Sequence, residues 1–384
     1  MSGGINRIKA LFLIESLSGG GAEKVLSVLL KHLDREKFDV TLCLVNDVGI
    51  YKDEVRPYVR LCSILPDPAG LSGLKFILYK LKYKLIYYWL PTKWVYSLFV
   101  PKGADVEVAF TEGFATKIIS GTNSKTSRKL AWVHTDYMTN HWTLSRGVFA
   151  NNEEEKKAYN AFDSIIAVST SVKTAFESLF GSSIPVKVLY NPFDVGEIHC
   201  LSLKEVDCPR RSAFRMITIG RLVPQKAFDR LLMVAFKLKQ SGLRFEIFIL
   251  GDGPCYASLS EAIEDKGLED SVKLCGFKEN PYPYIIASDI FVCSSVAEGL
   301  STSATEALLL GVPVITTDCS GMRDLFGEER CGLITDNSAD ALYDGIKSVM
   351  TDHRLFEELR IGAFNRGRSM ALEPRIKEIE KILS

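Results

Sequence analysis

Short aliphatic and β-branched runs alternate with amphipathic helical stretches along nearly the whole of this 384-residue chain. That alternation leaves few folds open. Parallel strands need crossover connections, usually helices, and strands covered on both faces read as continuous apolar runs. In the first half the runs KALFLIE, DVTLCLV, VEVAF, KLAWV, SIIAVS and VKVLY predict strands; in the second half FRMITIG, FEIFIL, VKLCG, DIFVCSS, VPVIT and GLIT do. Between them lie stretches such as AEKVLSVLLKHL, with apolar residues at i, i+3, i+4 and i+7. The expectation is an α/β fold of parallel, doubly wound sheets with helices on both faces.

The pattern runs twice. It is interrupted by NPFDVGEIHCLSLKEVDCPRRSA, which is polar and aperiodic. A boundary is expected within 192–211, giving a first domain over 1–195 and a second over 196–365. The last helical stretch, roughly 352–383, is long enough to return to the first domain, so 366–384 is assigned there. Doubly wound sheets bind ligands beyond the carboxyl ends of their strands, so a cleft shared by the two domains is expected.

Composition excludes several classes. Lys plus Arg equals Asp plus Glu at 47 each, so no global field favours nucleic acid. Nine cysteines, odd in number and without a C-x-x-C pair, fit packed thiols in a reduced, cytoplasmic setting. KALFLIE is too short for a signal core, and no run of eighteen apolar residues suggests a membrane span.

One segment departs from the alternation. Residues 74–100, LKFILYKLKYKLIYYWLPTKWVYSLFV, hold five lysines and no acid, interleaved with Phe, Tyr and Trp. Amphipathic rings and cations both gain at a lipid headgroup layer, so docking on an anionic membrane surface is the expectation. The alternative is a buried helix with lysines at its edge.

Several strand-to-helix turns carry chemistry. LSGGGAEKVLSVLL opens the first helix with Gly20 and Gly21, where a ligand can approach backbone closely. GRLVPQKAFDRLL places Gly220, Arg221 and Lys226 after a strand of the second half. A forked guanidinium and a mobile ammonium together suit a diphosphate. WVHTDYMTNHW ends a strand at His134; with Asp136 and His141 it hints at a metal, but the spacing fits no common zinc pattern. EGLSTSATEA, 298–307, opens a helix: Ser301, Thr302 and Ser303 are cap candidates, and the amides of Gly299, Leu300 and Ser301 suit a phosphate. Glu298 and Glu306 are acceptors only, which suits sugar or ribose hydroxyls. Each feature taken alone also fits an ordinary capped helix or solvated loop; together they describe a sugar-nucleotide site.

GGGAE, His134, GRLVPQK, GDGP and EGLSTSATEALLLGVPVI together resemble the retaining glycosyltransferases of family 4 over nearly the whole chain. The resemblance implies two Rossmann-like domains in the GT-B arrangement: an N-terminal acceptor domain and a C-terminal nucleotide-sugar domain. It implies a hexosyltransferase-like enzyme moving a hexose or N-acetylhexosamine from a UDP-linked donor to a glycan or lipid-linked saccharide in cell-surface polysaccharide or glycolipid synthesis. No cofactor and no metal are implied, and the protein is expected in the cytoplasm or peripheral on the cytoplasmic membrane face. Arg221 and Lys226 then hold the diphosphate, Glu298 the sugar, Glu306 the ribose, and His134 the reacting centre, with Gly20 and Gly21 near donor or acceptor. Ala227 departs from the family's usual Gly after the Lys, and Lys24 from its frequent Arg; both substitutions are expected to be tolerable. A nucleotide-sugar epimerase, a phosphorylase-like enzyme and a non-catalytic membrane-docked adaptor are the competing readings.

Overall fold

The computed structural model describes residues 7–181, 183–206 and 213–384. The part of the expected boundary at 207–211, and the residues before Arg7, lie outside the described residues. The chain divides into two compact units, one reaching Phe193 and including Leu372–Ser384, the other spanning Asp194–Ala371.

The first unit is built on β1 (Ile8–Ile14), β2 (Phe38–Asn46), β3 (Arg60–Leu65), β4 (Val106–Ala109), β5 (Arg128–Val133), β6 (Ser164–Ala167) and β7 (Val186–Val188). Their order is β3-β2-β1-β4-β5-β6-β7, every pair parallel. The second unit carries β8 (Phe214–Ile219), β9 (Phe245–Leu250), β10 (Val272–Gly276), β11 (Ile290–Cys293), β12 (Val314–Thr317) and β13 (Gly332–Thr335), in the order β10-β9-β8-β11-β12-β13, again parallel. Each order reverses once, between β1 and β4 and between β8 and β11. Those reversals open a crevice at the carboxyl ends of the strands.

The apolar runs explain the sheets. Ala10 through Ile14 of β1 are sealed from solvent, and the helix Gly21–His32 buries Val25, Leu26, Leu29 and Leu30 on one face. In the second unit Met216, Ile247, Ile249, Val292 and Ile315 pack beneath Leu231, Leu232 and Ala235 of the helix Phe228–Gln240. Burying each such aliphatic side chain is worth roughly 1.5–3 kcal/mol.

The sequence reading gave no strand at β3. It is an edge strand whose first four residues are exposed or half-buried, so its sequence, RLCSIL, lacks a long apolar signal. The break between the two patterned halves also holds a helix, Val195–Ser202, capped by the Asp194 carboxylate accepting from Glu197 N at 2.9 Å. The expected single terminal helix is two. His353–Ser369 packs against the helix Thr302–Leu309 of the second unit, and Leu372–Leu383 belongs to the first. Pro374 explains the break: proline suits a first helical turn and disrupts an interior. Glu380 of the final helix accepts from Asp34 N at 2.9 Å and lies 3.6 Å from Lys37.

Residues 74–100 form a helix Gly73–Lys84, a wide π turn Leu85–Trp89 and a helix Thr92–Phe99. No residue of Gly73–Lys84 is buried. For this helix the alternative of a buried helix fails, since Leu74, Ile77, Leu78 and Leu81 are all more than half exposed, whereas Ile86, Val95, Tyr96 and Val100 further along the segment are buried. No described helix is long and apolar enough to cross a membrane.

Candidate active site

The second unit assembles its charged residues at the β8–β11 reversal. Beyond β8 the chain passes through Gly220 and Arg221 into a 3-10 turn, Pro224–Lys226. A Cβ on Gly220 would lie 3.1 Å from Lys226 Cε, so the glycine makes room for the lysine stem. GDGP supports this turn. Gly251, at φ 139°, leaves no space for a side chain against the Gly220 carbonyl, and Leu222 N donates to Asp252 O at 2.9 Å.

Across the reversal, the loop after β11 is laced to the same turn. Val296 N donates to Gln225 O at 2.9 Å, Gln225 Nε2 to Ala297 O at 2.8 Å, and Ser294 Oγ to Lys226 O at 2.9 Å. The lacing brings Lys226 Nζ to 2.6 Å from Glu298 Oε1, which also accepts from Ser295 Oγ at 2.6 Å. Glu298 is buried, and Cys293 Sγ lies 4.0 Å from the same oxygen. Burial opposes charge on Lys226, but the Glu298 carboxylate outweighs it and raises the ammonium above its ordinary value. Lys226 and Glu298, read in the sequence as contacts for two different parts of a ligand, are therefore a preformed ion pair. Arg221 is exposed and makes no ion pair among the described residues.

The helix Thr302–Leu309 starts at this pair. Ser301 caps it, accepting from Ala304 N at 3.4 Å, while Ser303 Oγ donates to Ile219 O at 3.1 Å and ties the helix start to β8. Glu306 is buried and accepts from Tyr282 Oη at 3.3 Å. Lys226, Cys293, Ser295, Glu298, Ser301 and Ser303 line one small open pocket.

The first unit has a different chemistry at its β1–β4 reversal. Gly20 precedes the helix Gly21–His32, and its amide donates to the Glu23 carboxylate, which also accepts from Ser16 Oγ at 3.3 Å. That carboxylate occupies the donor at which an anion would dock. Glu15, just past β1, accepts from Phe114 N at 3.2 Å and has its pKa raised by burial.

His134 follows β5. Its Nε2 lies 2.9 Å from Phe110 O, and its ring packs against Phe110. Burial pushes its pKa down to about 4, so the ring is neutral at pH 7. A carbonyl only accepts, so Nε2 carries the proton and Nδ1 is left as an acceptor. Asp136 and His141 do not join it. Asp136 accepts from Met138 N at 2.8 Å, and His141 Nε2 pairs with buried Glu155 at 2.8 Å. No group of three or more metal-ligating side chains occurs among the described residues.

The sequence reading missed Glu112. It is buried just past β4, and its Oε1 accepts from both His134 N and Thr135 N at 2.5 Å. Burial raises its pKa to about 7 against those backbone hydrogen bonds. A signal was present: Glu112-Gly113 and Glu298-Gly299 are the same dipeptide, each soon after the strand that crosses its sheet's reversal. Ser295 was also missed.

Residues 19–197 match the profile of Glycosyltransferase Family 4, and residues 210–366 match that of Glycosyl transferases group 1. The chain belongs to glycosyltransferase family 4. Among relatives of this transferase, a Campylobacter jejuni N-acetylgalactosamine-N,N'-diacetylbacillosaminyl-diphospho-undecaprenol 4-alpha-N-acetylgalactosaminyltransferase is 27% identical over 365 residues, covering 93% of this chain and 94% of that one. Among solved structures, Anabaena HepE in complex with UDP and glucose superposes with a TM-score of 0.77 at 20% identity, over 98% of this chain and 99% of HepE. Sucrose-phosphate synthase of Thermosynechococcus elongatus gives 0.76 at 14% identity, over 98% of each chain. The fold of the transferase is the GT-B fold.

Proposed function

We propose that this transferase moves a hexose or N-acetylhexosamine from a UDP-linked donor to a lipid-linked saccharide. The observation that carries the reading is the Lys226–Glu298–Ser295 cluster beside the capped helix start at Ser301. Exposed Arg221 and the ammonium of Lys226 meet the diphosphate, and the amides of Gly299, Leu300 and Ser301 add to them. Glu306 holds the ribose, and Glu298 both orients Lys226 and accepts from the sugar. His134 Nδ1, an acceptor on a neutral ring, suits a sugar hydroxyl and not a phosphate. Gly20 and Gly21 lie on the acceptor side, because Glu23 already takes the Gly20 amide.

In the reaction the acceptor oxygen bonds to the anomeric carbon on the face that the diphosphate leaves. The anomeric C–O bond to phosphate breaks, and the acceptor proton passes to the departing phosphate oxygen. Arg221, Lys226 and the helix start stabilise the developing negative charge. No step uses a metal. The two-carboxylate scheme of glycoside hydrolases does not apply.

Exposed Leu74, Ile77, Leu78, Trp89 and Trp94, with Lys75, Lys80 and Lys84, support docking on an anionic membrane that holds the acceptor. Replacing those three lysines by Glu should strip the protein from acidic vesicles at low salt, since each basic residue contributes about 1 kcal/mol. Lys82 is unsuitable for this test because its Nζ donates to Ile64 O at 2.7 Å. Wild-type protein that never sediments with such vesicles would remove the membrane from the reading.

The main test is UDP release from UDP-glucose and UDP-N-acetylgalactosamine, with and without a polyprenyl diphosphate-linked saccharide. Acceptor-dependent release with a lengthened product supports transfer. A changed sugar nucleotide formed without acceptor marks an epimerase, and UDP binding without turnover marks an adaptor.

A further inference from the structure

We propose that Glu112 is a positioning residue for His134, fixing the imidazole through the backbone and not through a side-chain contact. The inference rests on the reading that His134 serves transfer. Three observations converge on it. One carboxylate oxygen takes two successive amides, His134 N and Thr135 N, each at 2.5 Å. Those amides begin the loop at the carboxyl end of β5, where no ladder partner is recorded beyond Val133. The same short segment after β4 supplies the second clamp, because Phe110 O holds His134 Nε2 at 2.9 Å. Residues 110–112 therefore grip His134 at main chain and ring together, leaving Nδ1 as the only ring acceptor.

A buried carboxylate is costly unless its hydrogen bonds are made. Glu112 lies deep beside Tyr137 and Tyr159, whose hydroxyl groups titrate well above the ordinary tyrosine range because they are buried. An apolar side chain at 112 would make an equally good core without that cost, so the carboxylate is explained by what it holds. It fixes the direction of the β5 loop, which decides where Nδ1 lies. Placement errors of about 1 Å can cost an enzyme roughly a hundredfold in rate.

The test uses the full chain with 15N-labelled histidine. In the wild type, the His134 resonances, identified by their loss in His134→Gln, should show a neutral ring protonated on Nε2 down to about pH 5. Glu112→Ala and Glu112→Asp should both lose the single tautomer and titrate closer to the ordinary histidine value near 6.5. UDP release from the better of the two donors should fall tenfold or more, with calorimetric UDP affinity unchanged. Glu112→Gln keeps an oxygen acceptor of the same reach and should restore both the tautomer and most of the rate. If Glu112→Ala does not fold, the Asp and Gln variants decide the matter. A His134 spectrum unchanged in Glu112→Asp overturns the proposal. A displaced spectrum with unchanged turnover shows instead that His134 has no part in transfer.

Discussion

The Glu-Gly dipeptide occurs once at each sheet reversal, and the two copies do opposite work. Glu298 takes a side-chain cation and a hydroxyl: Lys226 and Ser295, both at 2.6 Å. Glu112 takes the main-chain amides of His134 and Thr135, with the Thr135 side chain beside them, and no cation. The second unit thus presents an ion pair beside a helix start, and an exposed guanidinium, Arg221, on the loop after β8. The first presents a neutral imidazole and carboxylates, with its one glycine-rich helix start already closed by Glu23. On the proposed reading the former meets the diphosphate and the latter meets hydroxyl groups. The same dipeptide in the same topological place acquires its role from the partner that the neighbouring strand supplies.

The strongest way to break this comparison is Lys226→Ala. It removes the cation and leaves Glu298 buried without its charge partner, so transfer should fall by about a hundredfold or more, with weaker UDP binding. Activity within a few fold of wild type would mean that the second reversal does not bind the diphosphate.

The two acids of the second unit separate next. A lost hydrogen bond to a charged group costs about 1.5–3 kcal/mol, so Glu306→Ala should weaken calorimetric UDP affinity roughly tenfold to a hundredfold. Glu298→Ala should cut turnover by a similar factor. Its UDP affinity should hold or improve, because the variant removes the carboxylate that competes with diphosphate for Lys226. Equal loss of UDP affinity in both variants would erase the distinction.

The first unit is sharpened by pH. His134 titrates near 4 in the folded chain and near 6.5 unfolded, so the unfolded state binds more protons and stability falls as pH drops through that window. Glu112 titrates near 7 folded and near 4.5 unfolded, so its contribution grows as pH drops through its own window. Between about 4.5 and 6.5 the two oppose each other. Glu112→Gln removes one side of the balance, and its melting temperature should decline more steeply than wild type from pH 6.5 to 4.5. Parallel curves would show that one of the two groups is not buried as described.

The smallest effect concerns Ala227, the only described non-glycine residue at positive φ, at 47°. It begins the helix after Lys226 in a left-handed conformation that disfavours a Cβ. Ala227→Gly should stabilise the second unit by about 0.5–1 kcal/mol, read in denaturant, with turnover unchanged. A destabilised variant would show that the lost methyl packing outweighs the strain.

The alternation of apolar runs sufficed to read both sheets, because strands buried on both faces have no other composition available. Only β3, exposed at the sheet edge, escaped that reading. Arg221, Lys226 and Glu298 could be picked as candidates because they stand in local strand-to-helix turns, and Glu306 because it lies one turn inside the helix that follows. Pro374 was also there to mark the helix break. The sequence reading treated Ala227 as a harmless exchange for glycine, and only the backbone reveals its left-handed geometry. Likewise, Lys226 and Glu298 stand 72 positions apart, and no local pattern says that they neutralise each other before any ligand arrives. Glu112 meets His134 across 22 positions through main-chain amides, which every residue type but proline possesses. Side-chain chemistry leaves a trace in sequence; a contact to backbone leaves one on only one of its partners. That asymmetry is why charged candidates could be picked from the chain, whereas the anchoring of His134 was decided by the tertiary structure alone.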